Sequence, residues 1–310
     1  MNIIIPAAGK SLRFKSAGYK LPKCFLPVGD KMMIENIFEI FDYKDTFYLI
    51  FPSSFKKKYF KKINYLKKNY KNLFIVFIKD HSSGPVFSIL NNVKINTKEE
   101  VIITYCDFIV EWNYQLFKRQ IYGYDGGVPC FKGFHPASFG KTFYAYIKKD
   151  LNNILLKIKE KKSFTKNRNN EPASTGIYYF KSLEVFNYYA KKLINNKKYI
   201  NGEAYVSLIY NLMSKDGLKN LVTFVDKFIC FGTPEDYNHY KHLENYFNRK
   251  IKKRIKFKQT NIIPMAGYGK RFKIENYNII KPFIPIRKSP MIIRSCKSFP
   301  EPRDWIFIAK

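Results

Sequence analysis

Short β-branched apolar runs alternate with amphipathic stretches through the first 110 residues. "NIIIPA" at the start reads as a strand buried on both faces of a parallel sheet. A Gly/Lys/Ser-rich turn and a segment through Pro22 and Pro27 read as loop. "KMMIENIFEIF" then carries apolar residues at helical spacing, and "TFYLIFP" reads as a second strand. "SSFKKKYFKKINYLKKNYKN" sets Phe60, Ile63 and Leu66 three apart on one helical face. Lysines surround that face, and Ser53 or Ser54 supplies a natural N-cap. "LFIVFI" is a third strand, "GPVFSILNNV" a helix and "EVIITYCDF" a fourth strand. This alternation predicts an α/β domain with a largely parallel sheet.

The middle of the chain changes character. "GVPCF", "TFYAYIK", "NILLKIKEK" and "STGIYYF" read as strands with few helices between them, predicting an antiparallel or mixed extension of the sheet. Helices return at "LEVFNYYAKKLI" and "GEAYVSLIYNLMSKDG", the second closed by Gly217 in the position after the C-cap. "LVTFV" and "FICF" are late strands. "TPEDYNHYKHLENYF" is a helix with Thr233 as cap and Pro234 in its first turn.

Beyond residue 250 the opening pattern returns. "NIIIPAAGKSLRF" is echoed by "NIIPMAGYGKRF", and adding 258 carries Pro6 to Pro264, Gly9 to Gly267, Arg13 to Arg271, Lys23 to Lys281 and Met33 to Met291 without a gap. The predicted organisation is therefore one domain over 1–250, a basic linker over 251–259, and over 260–310 the beginning of a second such domain. One strand pair cannot cover its own apolar faces. The second copy is thus expected to dock or to pair with a partner.

Charge narrows the ligand class. Lys and Arg number 56 against 24 Asp and Glu, a net charge of +32 that favours anions such as nucleotides, nucleic acid or acidic membranes. No zinc finger, aromatic RNP strand or basic-region heptad pattern occurs, so no nucleic-acid partner is expected. No apolar run reaches the roughly 18 residues of a membrane span. No basic segment precedes an apolar one at the N-terminus. Five scattered cysteines without a CxxC pair argue against a disulfide framework or a zinc site and for the cytoplasm. His135 reads as a structural turn residue.

The chemistry lies in the repeated stretch. Small residues at Ala7, Ala8 and Gly9 let backbone amides approach an anion, with Lys10, Ser11, Arg13 and Lys23 around them. Arginine can grip a phosphate at two points. Neither GxxxxGK[ST] nor GxGxxG is present, so this is not a P-loop or a dinucleotide fingerprint.

"AAGKSLRF" followed by "LPKCFLPVGDKMMIEN" resembles the nucleotidyltransferases that join a nucleoside triphosphate to a phosphorylated acceptor, especially the cytidylyl- and sugar-nucleotidyltransferase branches. "SSGPVFSIL", "VIITYCDF", "IKEK", "ASTGIYYF" and "FGTPEDY" resemble further motifs of that family in the same order. The resemblance implies a nucleotide-diphospho-sugar transferase-like, Rossmann-like three-layer sandwich with a mixed, mainly parallel sheet. It implies a cytoplasmic enzyme that makes a nucleotide-activated sugar, plausibly for capsule or surface polysaccharide, and releases pyrophosphate. Arg13, Lys10, Ser11 and the amides of Ala7, Ala8 and Gly9 would hold phosphates, and Lys23 would act at the α-phosphate. Gly84 would lie over the base, and Asp107 would hold Mg²⁺. Glu160, Lys161, Thr175 and Glu203 would meet the acceptor. "PKCFLP" tilts the triphosphate toward CTP.

Three positions depart from the family pattern. Cys230 stands where a second metal-binding aspartate is usual, and Asp226 upstream is the candidate substitute. Thr175 replaces an asparagine, and Cys24 follows Lys23 where the second copy keeps "KP". Two other readings stand beside the transferase. One is a glycosyltransferase of the same fold, against which the lack of any DxD argues. The other is a non-catalytic nucleotide-binding or scaffold protein.

Overall fold

The computed structural model describes residues 1–133, 144–197, 199–248, 259–287, 289–299, 302 and 304–309. His135 and all but Gln259 of the expected linker lie outside them. The chain divides into two compact units, Met1–Glu244 and Asn245–Lys310.

The first unit opens with β1 (Asn2–Pro6), α1 (Leu12–Ser16), a hairpin of β2 (Pro27–Val28) and β3 (Lys31–Met32), α2 (Met33–Phe38) and β4 (Thr46–Pro52). Next come α3 (Phe55–Lys58), α4 (Phe60–Asn69), β5 (Leu73–Ile78), α5 (Pro85–Ile89), β6 (Val101–Thr104), β7 (Phe108–Glu111) and α6 (Tyr114–Gln120). β8 (Gly126–Phe131), β9 (Ala145–Lys149), β10 (Leu155–Glu160), β11 (Ala173–Ser174) and β12 (Ile177–Phe180) form the strand-rich middle. α7 (Leu183–Asn195), α8 (Ile209–Lys215), β13 (Asn220–Phe224), β14 (Lys227–Cys230) and α9 (Pro234–Asn248) follow.

Ten strands make one mixed sheet in the order β10-β9-β11-β8-β12-β6-β1-β4-β5, with β13 alongside β8. The half carrying β6, β1, β4 and β5 is parallel, with Ile3 opposite both Phe47 and Ile102. From β12 to β10 the pairing is antiparallel, as the change of pattern in the middle predicts. Alternate side chains of β1 bury on opposite faces: Ile4 packs with α5, α7 and α8, while Ile3 and Ile5 pack with α2, α4 and α6. Both faces are thus covered, which gives the expected three layers.

The strand order reverses beside β1, because β4 lies on one side of it and β6 on the other. The carboxyl ends of β1 and β6 therefore diverge around a crevice, the usual ligand position in such sheets. The loop after β1 and the turn holding Asp107 after β6 both open there.

Some elements differ from the sequence reading. The expected single helix over 53–72 is broken at Tyr59, and Ser54 does not cap it. The Ser54 hydroxyl instead donates to Asp80 (2.7 Å). Helix α6, capped by the Asn113 side chain on the Leu116 amide (2.9 Å), has no counterpart in that reading. Gly217 (φ +84) and Thr233 behave as expected, the latter accepting from the Asp236 amide (3.2 Å).

The second unit holds β15 (Thr260–Pro264), α10 (Lys270–Ile274), β16 (Pro285–Ile286), β17 (Ser289–Pro290), α11 (Met291–Cys296) and β18 (Asp304–Ile308). β15 and β18 pair in parallel with Thr260 opposite Asp304, the register of Asn2 opposite Thr46 shifted by the repeat interval.

Candidate functional site

The loop leaving β1 begins as Ala7 donates its amide hydrogen to Ile50 (2.9 Å), so it starts from the fixed end of an interior strand. Ala7 and Ala8 are buried, whereas Gly9 has open space where a side chain would stand. Ser11 adopts a left-handed conformation (φ 50) and starts α1. Its hydroxyl accepts the Lys23 amide hydrogen (3.3 Å), tying the loop after β1 to the Pro22–Lys23 loop. Phe14 anchors α1 in a small core with Leu26, Val28, Met33, Phe231 and Tyr237. Lys10 and Arg13 are exposed at the mouth.

Lys23 reaches across to Asp107, Nζ to Oδ2 at 2.7 Å. Burial alone would lower the lysine pKa, but the Asp107 carboxylate outweighs it and holds the ammonium charged. The β7–β14 pairing sets Cys230 opposite Phe108 and brings Phe231 to donate to the Asp107 carbonyl (2.7 Å). Burial, and then the Asp107 and Asp236 charges, push the Cys230 thiol up to about 12. It is therefore a protonated thiol at neutral pH and a poor ligand for a hard cation. Asp226 does not replace it. Asp226 is exposed, its amide bonds the Glu111 carbonyl (2.9 Å), and it sits at the far end of β14, roughly 13 Å of strand from Cys230. The carboxylate near Asp107 is instead Asp236, pushed upward by burial first and by Glu235 and Asp107 after it.

Among the described residues no three His, Cys, Asp or Glu side chains are grouped to hold a metal. A side chain at Gly232 would stand 3.5 Å from Asp107 Oδ2, so glycine keeps that carboxylate open. Asp107 fits the way Mg²⁺ is often held, by one carboxylate with substrate phosphates and water.

On the antiparallel side, Lys161 follows β10 with a left-handed backbone (φ 55). Its ammonium lies 4.4 Å from the Tyr205 ring centroid and bonds the Tyr205 hydroxyl, which in turn donates to Glu203. Glu160 accepts from the Ser207 hydroxyl (2.6 Å), and burial raises its carboxyl to about 7 against the pull of Ser207 and Lys161. The Thr175 hydroxyl donates to the Pro129 carbonyl (2.9 Å), and its side chain is buried. It thereby ties the start of β12 to β8.

Gly84 caps α5 with φ 98, and a β-carbon there would meet Ala204 N at 2.7 Å. Only glycine lets this loop lie against Ala204, whose amide donates to the Ser83 carbonyl (2.9 Å).

All thirteen sequence-predicted site residues line one cleft of about 470 Å³. Residues the sequence reading did not single out line it too: His81, Tyr105, Tyr144, Tyr205 and Asp236. Tyr205 stood inside the stretch read as helix, which the structure begins only at Ile209; Asp236 lay within the quoted "GTPEDY".

No family model and no curated protein matches the sequence. Solved structures do. The nucleoside-diphosphate-sugar pyrophosphorylase from Vibrio cholerae superposes with a TM-score of 0.65 at 20% identity, covering 77% of this chain and 99% of that one. UDP-glucose pyrophosphorylase complexed with UDP-glucose gives 0.62 at 17%, covering 80% and 99%. The inositol-1-phosphate CTP transferase from T. maritima gives 0.57 at 14%, covering 80% and 96%. The chain therefore has the nucleotide-diphospho-sugar transferase-like fold. No helix among the described residues is long and apolar enough to cross a membrane.

Proposed function

We propose that the first unit is a nucleotidyltransferase that moves a nucleoside monophosphate from a triphosphate to a sugar phosphate or similar acceptor. What supports this most is the convergence in one cleft of a phosphate-type loop, the Lys23–Asp107 pair and the Glu160/Lys161 wall. An acceptor phosphate oxygen attacks the α-phosphorus in line, forming the new P–O bond as the bond to the β-phosphate oxygen breaks and pyrophosphate leaves. The nucleophile is already an anion, so no side chain need take a proton.

In this reading the amides of residues 7–11, with Lys10 and Arg13, bind the β- and γ-phosphates. Lys23 offsets charge at the α-phosphate and is itself positioned by Asp107. Lys161 receives the acceptor phosphate, while Glu160 and Glu203 orient the rest of the acceptor. Mg²⁺, when bound by Asp107 and phosphate oxygens, would neutralise part of the triphosphate charge.

The test is pyrophosphate release by the full chain with Mg²⁺, each of the common nucleoside triphosphates and a panel of sugar 1-phosphates. CTP is the first triphosphate to try, on the "PKCFLP" resemblance. Acceptor-dependent release from one triphosphate is expected. Release from none, with transfer from a nucleotide sugar, would replace the reading with a glycosyltransferase.

A further inference from the structure

We infer that His81, as a neutral ring protonated at Nε2, is the positioning residue that staples the loop 82–84 to the first turn of α5 and so holds it against the nucleotide. The inference rests on the transferase reading for what that loop touches, and on the geometry for the staple itself.

The loop 82–84 and the first turn of α5 contribute Ser82, Gly84, Pro85 and Ser88 to the cleft and are held by two sets of bonds. On the outside, Ser83 and Val86 form backbone bonds with Ala204 (2.9 and 3.3 Å), next to the Glu203–Tyr205 wall. On the inside, His81 makes both side-chain contacts. The Ser83 amide donates to Nδ1 (3.1 Å), and Nε2 lies 3.1 Å from the Ser88 hydroxyl. A backbone N–H can only donate, so Nδ1 must carry its lone pair. The neutral ring therefore has its hydrogen on Nε2 and donates to Ser88 Oγ. The Ser88 hydroxyl is then free to turn its own hydrogen to the Gly84 carbonyl (3.5 Å). One ring thus ties the loop before α5 to the first turn of α5, across Gly84, which has no room for a side chain.

The charged neighbours of the ring are Asp80 and Lys10. Desolvation first, and Lys10 after it, lower the His81 pKa from 6.5, while Asp80 opposes them. The Asp80 carboxylate is already engaged by the Ser54 amide and hydroxyl (3.3 and 2.7 Å). An imidazolium would have to donate from both nitrogens and would repel the Ser83 amide hydrogen. The staple therefore holds above the imidazole range and opens as pH falls through it.

The test uses the full chain with ¹⁵N-labelled histidine. NMR should place the His81 hydrogen on Nε2, and His81→Phe should speed amide exchange at 83, 84 and 86–88 about tenfold or more. The same variant should raise the triphosphate KM about tenfold, while kcat and the acceptor KM move less than threefold. His81→Asn keeps an acceptor oxygen near Nδ1, so it should recover most of that KM and abolish the rise in KM on the acid side. It also serves if His81→Phe fails to fold. A hydrogen on Nδ1, unchanged loop exchange, or equal losses in kcat and both KM values would overturn the inference. Tautomer and exchange are read without substrate. A wild-type chain that releases no pyrophosphate would therefore sink the transferase reading while leaving the staple to be decided on its own.

Discussion

Residues 2–52 and 260–308 run through the same elements in the same order, yet one stretch is buried and the other is not. The agreement extends to detail. Tyr19 donates its amide hydrogen to Phe14 and Tyr277 to Phe272; Met33 donates to Leu26 and Met291 to Ile284. The ring pairs Phe14–Tyr19 and Phe272–Tyr277 sit edge-on at 5.4 and 5.5 Å. Ser11 and Gly269 share the left-handed turn at φ 50 and 61. Burial separates them. Ile4, Leu49 and Ile50 are fully buried, whereas their counterparts Ile262, Phe307 and Ile308 are 59%, 45% and 49% exposed. Each such side chain forgoes part of the about 1.5–3 kcal/mol its burial would contribute. A handful of them rivals the roughly 5–15 kcal/mol net stability of a whole domain. Local sequence is enough to specify the loop, strand and turn; covering them takes partners from far along the chain.

Chemistry divides the same way. In the first unit Lys23 meets Asp107, 84 residues away. The corresponding Lys281 instead lies 5.6 Å from the Phe272 ring centroid. Asp107→Asn should therefore have the largest effect, lowering kcat/KM about 10³-fold, since it removes the carboxylate that positions Lys23 and would hold Mg²⁺. Steady-state pyrophosphate release reads this, and a loss below tenfold would mean the pair is only structural. Arg13→Ala and Lys23→Ala should each cost about 10²-fold. Arg271→Ala and Lys281→Ala should change the rate less than twofold. Matching losses in the two sets would erase the distinction between the units.

Glu160 gives a smaller, pH-dependent effect. The folded state holds its proton more tightly than the usual carboxyl value of 4.5, up to about 7. Its contribution to stability is then full below about pH 4.5 and is lost as pH rises through about 7. Glu160→Gln should flatten that part of the Tm-versus-pH curve and the matching limb of the acceptor KM. An unchanged pH dependence would show that Glu160 ionises normally. Cys230→Ser should matter least, within about twofold in kcat/KM, because a protonated thiol offers little to a hard cation.

Much of the parallel half was readable because its signals are local: "NIIIPA" and "TFYLIFP" are continuous apolar runs, and Gly84 and Gly217 sit where backbone demands glycine. The candidate site residues were readable as motifs in order, and the fold brings them to one cleft. What stayed hidden was set by contacts distant in sequence. Asp80 draws away the Ser54 hydroxyl that looked like a cap, and Pro129 does the same to the Thr175 hydroxyl. Asp226 looked like a substitute ligand by its nearness to Cys230, but a strand carries it away from Asp107. His81 shows nothing in a linear reading, because its meaning lies in which nitrogen faces Ser83.

The central claim is that the first unit is a complete transferase and the repeated loop adds nothing to its chemistry. The most direct measurement is acceptor-dependent pyrophosphate release by a chain truncated after Asn248, beside the full chain. The account predicts an undiminished kcat/KM and solubility at least equal to that of the full chain. Lost activity with an unchanged far-ultraviolet circular dichroism spectrum would contradict it, and would mean that the second loop completes the first site.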